Sequence, residues 1–543
     1  MLGLMQDWPL TADKLIDQAA RWHGEREVVS RNADGSVSRT TYAEVHSRAK
    51  QVTNGLRAAG VKLGDRVATL AFNSARHLEA MYGIMGMGAV CHTLNPRLFP
   101  EQIAWMVNHA GDRLILADPH CAAIIKAIVP QCPNLDGVVW LCDAASLPDG
   151  EGLAYDSWIA GQSAEARWGG FDEQTAAGLC YTSGTTGDPK GVLYSHRSNV
   201  LTAMIALQAD YMGARAIDVV LPIVPMFHAN GWAVAFFAPA AGAKLVLPGP
   251  KLDGASVHEL LESEGVTFAA AVPTVWQTLL THLDTTGGKL STLRRGLIGG
   301  AACPPALMRA YGDRYDVEIM QSWGMTETSP LGVMGKPVAA TAELPAEERF
   351  AQRMKQGRAP FGIDLKIVDD DGEALPRDGR TSGRLMVRGP NVARAYFGRE
   401  DVSILDSEGY FDTGDIATID RHGYMRITDR AKDVIKSGGE WISSVDIENL
   451  MAGHPKVALA AVIGVPHPKW DERPLLIVAL KAGETATSDE MLEFLSGKIA
   501  KWWTPDEVAF VEAIPLNATG KIDKKAIRAQ FAGFRFAGLE AAQ

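Results

Sequence analysis

Apolar residues recur at two different spacings along the first 120 positions of the chain. In segment 13–22 they lie three or four residues apart, which is the pattern of an amphipathic helix. In segment 66–71 they form a short continuous run, which is typical of a buried strand. The two patterns alternate, and predict helices over 13–22, 41–59, 74–87 and 100–109 and strands over 66–71, 90–94 and 113–117. This alternation predicts parallel sheets joined by crossover helices, an α/β body.

A second series of the same elements follows a turn-rich segment, 130–156, which we expect to be irregular surface. Strands are predicted over 176–180, 192–194, 219–224, 244–247, 268–272, 296–298 and 317–320, and helices over 199–212, 257–264, 275–282 and 304–315. This series predicts a second α/β subdomain. Gly299 and Gly300 directly follow one of its strands, which is where α/β folds bind ligands.

From Phe361 onward the pattern changes to short strands separated by turns, which predicts a small antiparallel barrel or sheet. These strands are predicted over 364–368, 384–388, 418–420 and 424–427. A densely charged segment, 429–434, precedes a last α/β section, and a weakly ordered tail is expected from Gly533. We therefore expect a large N-terminal body over residues 1–431, made of two α/β subdomains and the β-barrel-like part. A small, mobile α+β C-terminal domain is expected over residues 432–543.

Composition and charge exclude several classes of protein. The 543 residues are 47% hydrophobic and 22% charged, as in ordinary globular proteins with an ample core. The net charge of −11 argues against nucleic acid as a partner. The six cysteines form no C-x-x-C pair and no metal-ligand spacing, which favours reduced core thiols in a cytoplasmic protein. The sequence has neither a signal-peptide pattern nor an apolar run long enough for membrane insertion.

The segment 181–191, Tyr-Thr-Ser-Gly-Thr-Thr-Gly-Asp-Pro-Lys-Gly, has the composition of an anion-binding turn. Its glycines let backbone amides approach a phosphate, its hydroxyl groups are donors, and Lys190 adds a positive charge. From composition alone, an ordinary hairpin turn is an equally good interpretation. The segment is not a P-loop, because Lys190 follows Pro189 instead of glycine and no Ser or Thr comes after it.

Segment 181–191 resembles the phosphate-binding loop of the adenylate-forming enzymes, the family of acyl-CoA synthetases, luciferases and peptide-synthetase adenylation domains. Further matches to family motifs follow in order at 225–232, 321–328, 410–415 with 428–430, and 517–524. The resemblance covers essentially the whole chain and implies the family fold, with ATP as co-substrate and Mg²⁺ as cofactor. Within the family, segment 437–443 is similar to that of medium- and long-chain fatty acyl-CoA synthetases, and the chain resembles the bacterial 3-methylthiopropionate-CoA ligases.

The resemblance implies a set of ATP-binding residues that spans both predicted domains. They are Thr182, Ser183, Gly184, Thr185, Thr186, Gly187, Lys190, Gly300, Ala301, Gln321, Trp323, Gly324, Met325, Thr326, Asp415, Arg430 and Lys436. It also implies Thr185 and Glu327 as the Mg²⁺ ligands, Trp323 as the ring that stacks on adenine and Asp415 as the ribose-binding carboxylate. Taken alone, Glu327 is more typical of a capping or surface acid, Trp323 of a core residue and Asp415 of a turn.

Catalysis is assigned by the resemblance to Lys521, with His228 and Glu327. Lys521 matches a family lysine that reaches the carboxylate and the α-phosphate, although the residues before the motif, Leu516 and Asn517, depart from the family pattern. Without that context, a lysine in a basic segment is more often solvated, and a lone histidine is more often a buried structural imidazole. The acyl-binding residues implied are His228, Trp232, Gly299, Gly324 and Pro330, and Trp232 matches a gate-like tryptophan of bacterial fatty acyl-CoA synthetases.

Lys432 matches the family hinge, and the segment after it matches the one that faces the CoA thiol once the small domain rotates. The implied CoA-binding residues are Ser437, Gly438, Gly439, Glu440 and Trp441. The expected activity is therefore an ATP-dependent acyl-CoA ligase that acts on a short- or medium-chain carboxylic acid through acyl-AMP. Two alternatives stay open: an adenylating enzyme with a non-CoA acceptor, and a nucleotide-binding protein without catalysis. A homodimer is implied by analogy only.

Overall fold

The computed structural model describes residues 1, 3–148, 152–182, 189–438, 440–517 and 520–536. The helices of these residues are α1 Asp13–Trp22, α2 Tyr42–Ala58, α3 Ala75–Gly86, α4 Pro100–Ala110, α5 Ala122–Ile128, α6 Tyr155–Ala160, α7 His196–Leu207, α8 Ala229–Trp232, α9 Val234–Ala241, α10 Gly254–Ser263, α11 Pro273–Thr286, α12 Pro305–Tyr315, α13 Ala339–Ala342, α14 Ala346–Arg353, α15 Ser444–Met451, α16 Ser488–Leu495 and α17 Lys524–Gln530. Their strands are β1 Glu27–Arg31, β2 Val37–Thr41, β3 Arg66–Leu70, β4 Val90–Thr93, β5 Asp112–Ala117, β6 Gly137–Trp140, β7 Leu153–Ala154, β8 Ala176–Thr182, β9 Lys190–Ser195, β10 Val219–Pro222, β11 Lys244–Leu247, β12 Phe268–Ala271, β13 Arg295–Ile298, β14 Glu318–Trp323, β15 Val333–Met334, β16 Asp364–Val368, β17 Gly383–Arg388, β18 Phe411–Ile419, β19 Met425–Arg430, β20 Ile435–Ser437, β21 Glu440–Ile442, β22 Val457–His467, β23 Asp471–Leu480 and β24 Glu507–Val511.

Seven of the described strands form one sheet, in the order β7-β6-β5-β3-β4-β8-β9. Neighbouring strands are parallel except β8 and β9, which are antiparallel. β8 ends at Thr182, β9 begins at Lys190, and these two residues pair with each other. The ends of the two strands therefore bracket the predicted phosphate loop, whose residues 183–188 lie outside the described part of the chain.

A second sheet contains eight of the described strands, in the order β15-β14-β13-β12-β10-β11-β1-β2. Strands β10 to β14 are parallel, so their carboxyl ends lie along one edge. Segments 225–232, 299–302 and 324–328 follow the ends of β10, β13 and β14. This topology brings three of the sequence motifs to the same edge and confirms the predicted α/β class.

The hydrophobic core joins the two sheets. One cluster of buried apolar side chains draws on α2, α3 and α9 and on strands of both sheets, for example Val67 of β3 and Leu245 of β11. The hairpin β1–β2 was not predicted from the sequence pattern. β1 joins the second sheet by pairing with β11, with Val28 opposite Leu245, so the strand depends on a partner more than 200 residues away.

Residues 364–430 contain a four-stranded antiparallel sheet in the order β16-β17-β18-β19. The prediction for its third strand was wrong in length, because β18 covers Phe411–Ile419 instead of 418–420. Residues 412–415 are Asp, Thr, Gly and Asp, which read as a turn, but pairing with β17 and β19 satisfies the backbone of this segment. The longer strand places Asp415 opposite Arg430 of β19.

The C-terminal section has its own mixed sheet, β21-β20-β23-β22, with β24 beside β23, and it carries α15 to α17. This agrees with the α+β expectation, while the boundary at residue 432 stays a prediction. The prediction of a weakly ordered tail from Gly533 is wrong for the residues up to Phe536. Phe536 is buried in a cluster with Ile514 and Ile527. Two aromatic residues close to the end of the described chain, Phe534 and Phe536, supply this packing.

Segment 130–156 is not the irregular surface that we expected. It contains β6 and β7, and α6 begins at its end. β6 pairs with β5, and Val139 and Trp140 are buried. The strand was not predicted because it is short and has turn residues on both sides. All six cysteines are free and buried, which confirms the prediction of core thiols. No helix in the described part of the chain is long and apolar enough to span a membrane.

Candidate active site

A buried carboxylate, Asp415, lies between an indole and a guanidinium group. The Nε1 of Trp323 donates to Oδ2 of Asp415 over 2.8 Å, and Nε of Arg430 is 3.4 Å from Oδ1. Burial raises the pKa of Asp415, against the opposing effects of Arg430 and Trp323. Arg430 is half exposed, so this group can face a ligand on one side. A carboxylate held in this way suits the hydroxyl groups of a ribose.

Lys521 reaches the same place from the C-terminal section. A Cβ atom added to Gly300 would lie 3.0 Å from Cε and 3.5 Å from Nζ of Lys521. Burial and the neighbouring Arg430 charge lower the pKa of Lys521 to about 8, while Asp415 acts in the opposite direction. The chain therefore brings a lysine from its last thirty residues to the glycine turn after β13 and to the carboxylate on β18.

The loop that carries Lys521 is held by its own backbone. The amide of Asn517 donates to the carbonyl oxygen of Lys521 over 2.7 Å, and the amide of Lys521 donates to Oδ1 of Asn517 over 3.1 Å. Gly520 has a φ of +81°, which favours glycine, and a Cβ there would be 3.6 Å from Oγ1 of Thr274. Asn517, a departure from the family pattern, thus accepts the hydrogen bond that orients the lysine. Residues 518–519 lie outside the described residues.

The segment between His228 and α9 is a left-handed turn, which the sequence did not predict. The φ angles of Ala229, Asn230, Gly231, Trp232 and Ala233 are 43°, 56°, 65°, 54° and 64°. For the non-glycine residues this conformation costs about 1–2 kcal/mol each. The Cys180 sulfur lies 3.1 Å from Oγ1 of Thr93, which also donates to the carbonyl oxygen of Phe227 over 3.2 Å. These buried contacts hold the strained turn in place.

The left-handed turn carries two of the predicted acyl-binding residues. The Trp232 ring is buried and lies against Gly299, where an added Cβ would be 3.1 Å from Cη2 of the indole. Burial, with the Lys521 charge adding to it, lowers the pKa of His228 to about 4. The imidazole is therefore neutral at neutral pH, and the Trp232 ring borders Gly299.

Glu327 is a buried acid that Tyr396 holds in place. The Tyr396 hydroxyl donates to Oε1 of Glu327 over 2.9 Å, and Nζ of Lys190 lies 4.9 Å from the centre of the Tyr396 ring. Burial raises the pKa of Glu327, while the Tyr396 hydrogen bond and the Lys190 charge oppose this. Sequence reasoning missed Tyr396, because a tyrosine in a loop carries no motif of its own.

The backbone turns around Lys521, Asp415 and Trp323 are closely packed. A Cβ on Gly324 would lie only 1.7 Å from the carbonyl oxygen of Pro330. The side chain of Gln321 is used inside the protein, where Oε1 accepts from the amide of Cys303 and Nε2 donates to the carbonyl of Met354. Gln321 therefore braces the turn that contains Gly300 and the exposed Ala301.

Two other predicted ATP-binding residues, Met325 and Thr326, lie at the start of a short 3-10 turn that leads to Glu327. The carbonyl of Thr326 accepts the Tyr194 hydroxyl over 2.8 Å, and the amide of Met325 donates to Thr328. These contacts fix the backbone that carries Glu327. Of the predicted phosphate loop, Ser183, Gly184, Thr185, Thr186 and Gly187 lie outside the described residues.

The predicted CoA segment is not part of this cluster. Lys436 is exposed on β20 and pairs with Trp441 of β21. Arg473 donates to Ser437, and the amide of Gly438 donates to the carbonyl of Trp470. Among the described residues, no hydrogen bond or ion pair joins segment 436–438 to the cluster. Gly439 and the side chain of Glu440 lie outside the described part.

The predicted hinge residue, Lys432, is exposed at the junction between the four-stranded sheet and the C-terminal section. Its carbonyl accepts from Nη2 of Arg528, which also pairs with Asp433 over 2.7 Å. A helix of the C-terminal section therefore contacts the junction directly. The role of Lys432 as a hinge stays a prediction.

Comparison with known proteins identifies the family of this chain. Residues 15–397 match the family model described as AMP-binding enzyme, and residues 446–521 match that of the AMP-binding enzyme C-terminal domain. The chain belongs to the AMP-binding enzyme family. The first match contains Trp232, Gly300 and Glu327, and the second ends at Lys521.

Two curated members of the family are similar over nearly their whole length. The 3-methylmercaptopropionyl-CoA ligase of Ruegeria lacuscaerulensis is 50% identical over 534 residues, 98% of this chain and 99% of that protein. The medium-chain-fatty-acid–CoA ligase of Ectopseudomonas oleovorans is 47% identical over 537 residues, 98% of each chain. The crystal structure of an anthranilate CoA ligase in complex with anthranoyl-AMP, 26% identical, covers 97% of this chain and all of its own with a TM-score of 0.87.

Proposed function

We propose that this enzyme is an ATP-dependent acyl-CoA ligase that converts a short- or medium-chain carboxylic acid to its acyl-AMP and then to its acyl-CoA. The observation that carries the proposal is the Lys521 ammonium beside Gly300, Asp415 and His228. A cation that meets a carboxylate, a glycine turn and a neutral imidazole suits the transition state of adenylation, in which negative charge gathers at the α-phosphate.

In the first half-reaction a carboxylate oxygen attacks the α-phosphorus of ATP. A new O–P bond forms, the bond to pyrophosphate breaks, and pyrophosphate leaves with the electron pair. Lys521 offsets the repulsion between the two anions, and Asp415 with Arg430 holds the ribose. His228 is neutral, so it can contact the substrate carboxylate as a hydrogen-bond donor without adding a second charge.

Mg²⁺ fits the donor set of this site. Glu327 is a buried carboxylate with one oxygen bonded to Tyr396, and Mg²⁺ typically binds one or two carboxylates together with substrate phosphates and water. Glu327, and Thr185 as proposed from the sequence, would hold the ion. When bound, Mg²⁺ would neutralise phosphate charge.

In the second half-reaction the CoA thiol attacks the acyl carbonyl. A C–S bond forms, the C–O bond to AMP breaks, AMP leaves with the electron pair, and the thiol proton passes to solvent. Lys521 occupies the site in this structure, so we propose that the C-terminal section turns about Lys432 and presents segment 437–441 instead. One site then serves both steps.

The substrate class rests on two observations. Relatives at 50% and 47% identity are named for 3-methylmercaptopropionate, which is 3-methylthiopropionate, and for medium-chain fatty acids. Trp232 packs against Gly299 and limits the room for the acyl chain on that side. We therefore propose 3-methylthiopropionate or an unbranched acid of similar length as the preferred substrate. We also propose that the protein acts in the cytoplasm, while a homodimer stays a prediction.

Release of AMP should be measured with ATP, Mg²⁺ and CoA across acetate, propionate, butyrate, hexanoate, decanoate, benzoate and 3-methylthiopropionate. We expect the largest kcat/KM for the methylthio acid or for an unbranched acid of similar length, with acyl-CoA as the product by mass. Exchange of pyrophosphate into ATP without acyl-CoA would indicate a non-CoA acceptor. No exchange with any acid would indicate a nucleotide-binding protein and refute the proposal.

The charge of Lys521 predicts the pH dependence of the first step. Because the pKa of Lys521 is about 8, the ammonium form predominates below this pH and is lost as the pH rises through it. We expect kcat/KM for pyrophosphate exchange, which reports the free enzyme, to fall above about pH 8. In Lys521→Arg the remaining activity should show no such fall, because a guanidinium stays charged. A profile flat to pH 9.5 in the wild type would contradict the role.

A further inference from the structure

The junction between the four-stranded sheet and the C-terminal section contains a buried chain of polar contacts. Asp429, near the end of β19, is 1% exposed and pairs with Ile416 of β18, so it belongs to the large body. Its Oδ2 accepts the amide of Ser444 over 2.7 Å and the hydroxyl of Ser444 over 2.6 Å. Ser444 is the first residue of α15, which lies beyond the proposed hinge at Lys432. These two hydrogen bonds therefore join the two sides of the hinge.

The same serine connects to the segment that carries the catalytic lysine. The ammonium group of Lys524 contacts the hydroxyl of Ser444 and lies 2.9 Å from Oε1 of Glu448. Lys524 is the first residue of α17 and only three residues after Lys521, a span of at most about 10 Å of chain. Whatever fixes Lys524 therefore also limits where Lys521 can lie.

The hydrogen bonds of Asp429, Ser444 and Lys524 depend on one another. Ser444 donates its hydroxyl proton to Asp429 and accepts a proton of the Lys524 ammonium group, so one hydroxyl serves both partners. Lys524 is mostly buried; burial lowers its pKa, but the Glu448 and Asp429 charges outweigh this and raise it. Rotation at the hinge would leave Lys524 with Glu448 but would take both Ser444 donors from Asp429. Losing hydrogen bonds from a buried carboxylate is costly.

A second cation on α17 lies close to the hinge. Arg528, one helical turn after Lys524, pairs with Asp433 over 2.7 Å and donates to the carbonyl of Lys432. This contact therefore lies at the proposed hinge and within the C-terminal domain, so it does not itself join that domain to the large body. The exposed pair Arg426–Asp446, with Nη2 and Oδ1 2.6 Å apart, crosses the same junction at its surface, where an ion pair contributes little.

We propose that Asp429 and Ser444 are positioning residues for adenylation. Through Lys524, their contact holds the C-terminal section in the orientation that delivers Lys521, and breaking it shifts the enzyme toward the thioester-forming orientation. This inference rests on the proposed two-step function. It predicts that changes at these residues alter the ratio of the two half-reactions instead of lowering both together.

The test is to measure pyrophosphate exchange, and separately acyl-CoA formation from supplied acyl-AMP, in the wild-type enzyme, Ser444→Ala and Asp429→Asn. We expect exchange to fall about tenfold or more relative to thioester formation in both variants, as for the loss of hydrogen bonds to a buried charge. Asp446→Asn, which removes the exposed pair at the same junction, is the matched control and should leave the ratio within about twofold.

A structural role alone would lower both half-reactions equally, together with the Tm, and that outcome would overturn the inference. An unchanged ratio in both variants, or a greater loss of thioester formation, would overturn it as well. If one variant fails to fold, the other still decides the ratio. Absence of pyrophosphate exchange in the wild-type enzyme with every acid would instead refute the proposed function, so the two failures are distinguishable.

Discussion

Replacing Lys521 by alanine is expected to lower acyl-AMP formation by about 10²- to 10³-fold, the usual cost of removing one donor that stabilises transition-state charge. The ammonium group lies at the Gly300 turn beside Asp415, where the attacking carboxylate and the α-phosphate would meet. Pyrophosphate exchange measures this step directly. Thioester formation from supplied acyl-AMP should keep most of its rate, because the proposed rotation takes Lys521 away from the site.

The matched control is Lys525→Ala. Lys525 lies in the same basic segment but is exposed on α17. It should leave both half-reactions near the wild-type rate, which excludes a general effect of net charge. If Lys521→Ala slowed both half-reactions equally, its assigned role in adenylation would be wrong.

Replacing Gly324 by alanine is expected to lower adenylation by about 100-fold. The added Cβ would lie 1.7 Å from the carbonyl oxygen of Pro330, whereas real Cβ contacts stay at 3.0 Å or more. The two backbones must therefore move apart by more than 1 Å, and a displacement of about 1 Å in a catalytic site can cost about 100-fold in rate. Gly324 directly follows Trp323, so the displacement also reaches the contact between Trp323 and Asp415.

Pyrophosphate exchange and the Tm should be measured together for Gly324→Ala, because overpacking of this kind also costs about 1–3 kcal/mol of stability. Gly312→Ala makes the same chemical change in the interior of α12, where an added Cβ meets nothing within 4 Å. Alanine is favoured over glycine in a helix by about 1 kcal/mol, so this control should be as active as the wild type and at least as stable. Near-normal exchange in Gly324→Ala would show that the turn is not tightly constrained.

The alternation of helix and strand was predictable because each buried element carries its own periodic pattern. α1 has the bounds that its apolar spacing predicted, 13–22, and β11 and β16 also have theirs. Elements that depend on distant partners were not predictable in this way. β1 depends on β11, and the polar half of β18 reads as a turn until β17 and β19 satisfy its backbone.

The residues of the candidate site also fall into those that the sequence predicted and those that it did not. Lys521, Asp415, Trp323 and Glu327 were named from motifs in order along the chain, and the structure brings Lys521 to Asp415 and Asp415 to Trp323. Tyr396, which holds Glu327, has no motif to reveal it, and Asn517, which orients the Lys521 loop, departs from the family pattern. Their importance comes only from which atoms they meet.

The fold class, the order of the elements and the chemical types of the candidate site residues could be predicted from the sequence alone, because these depend on local periodicity and short motifs. Three features could be recognised only in the folded chain: the left-handed turn after His228, the hydrogen bonds of the Gln321 side chain and the buried contact of Asp429 with Ser444. In each of these features, a conformation or a burial that is unfavourable by itself is compensated by contacts with other parts of the protein. A strained backbone or a buried charge is stable only where partners from other parts of the chain hold it, and those partners become neighbours only when the chain folds.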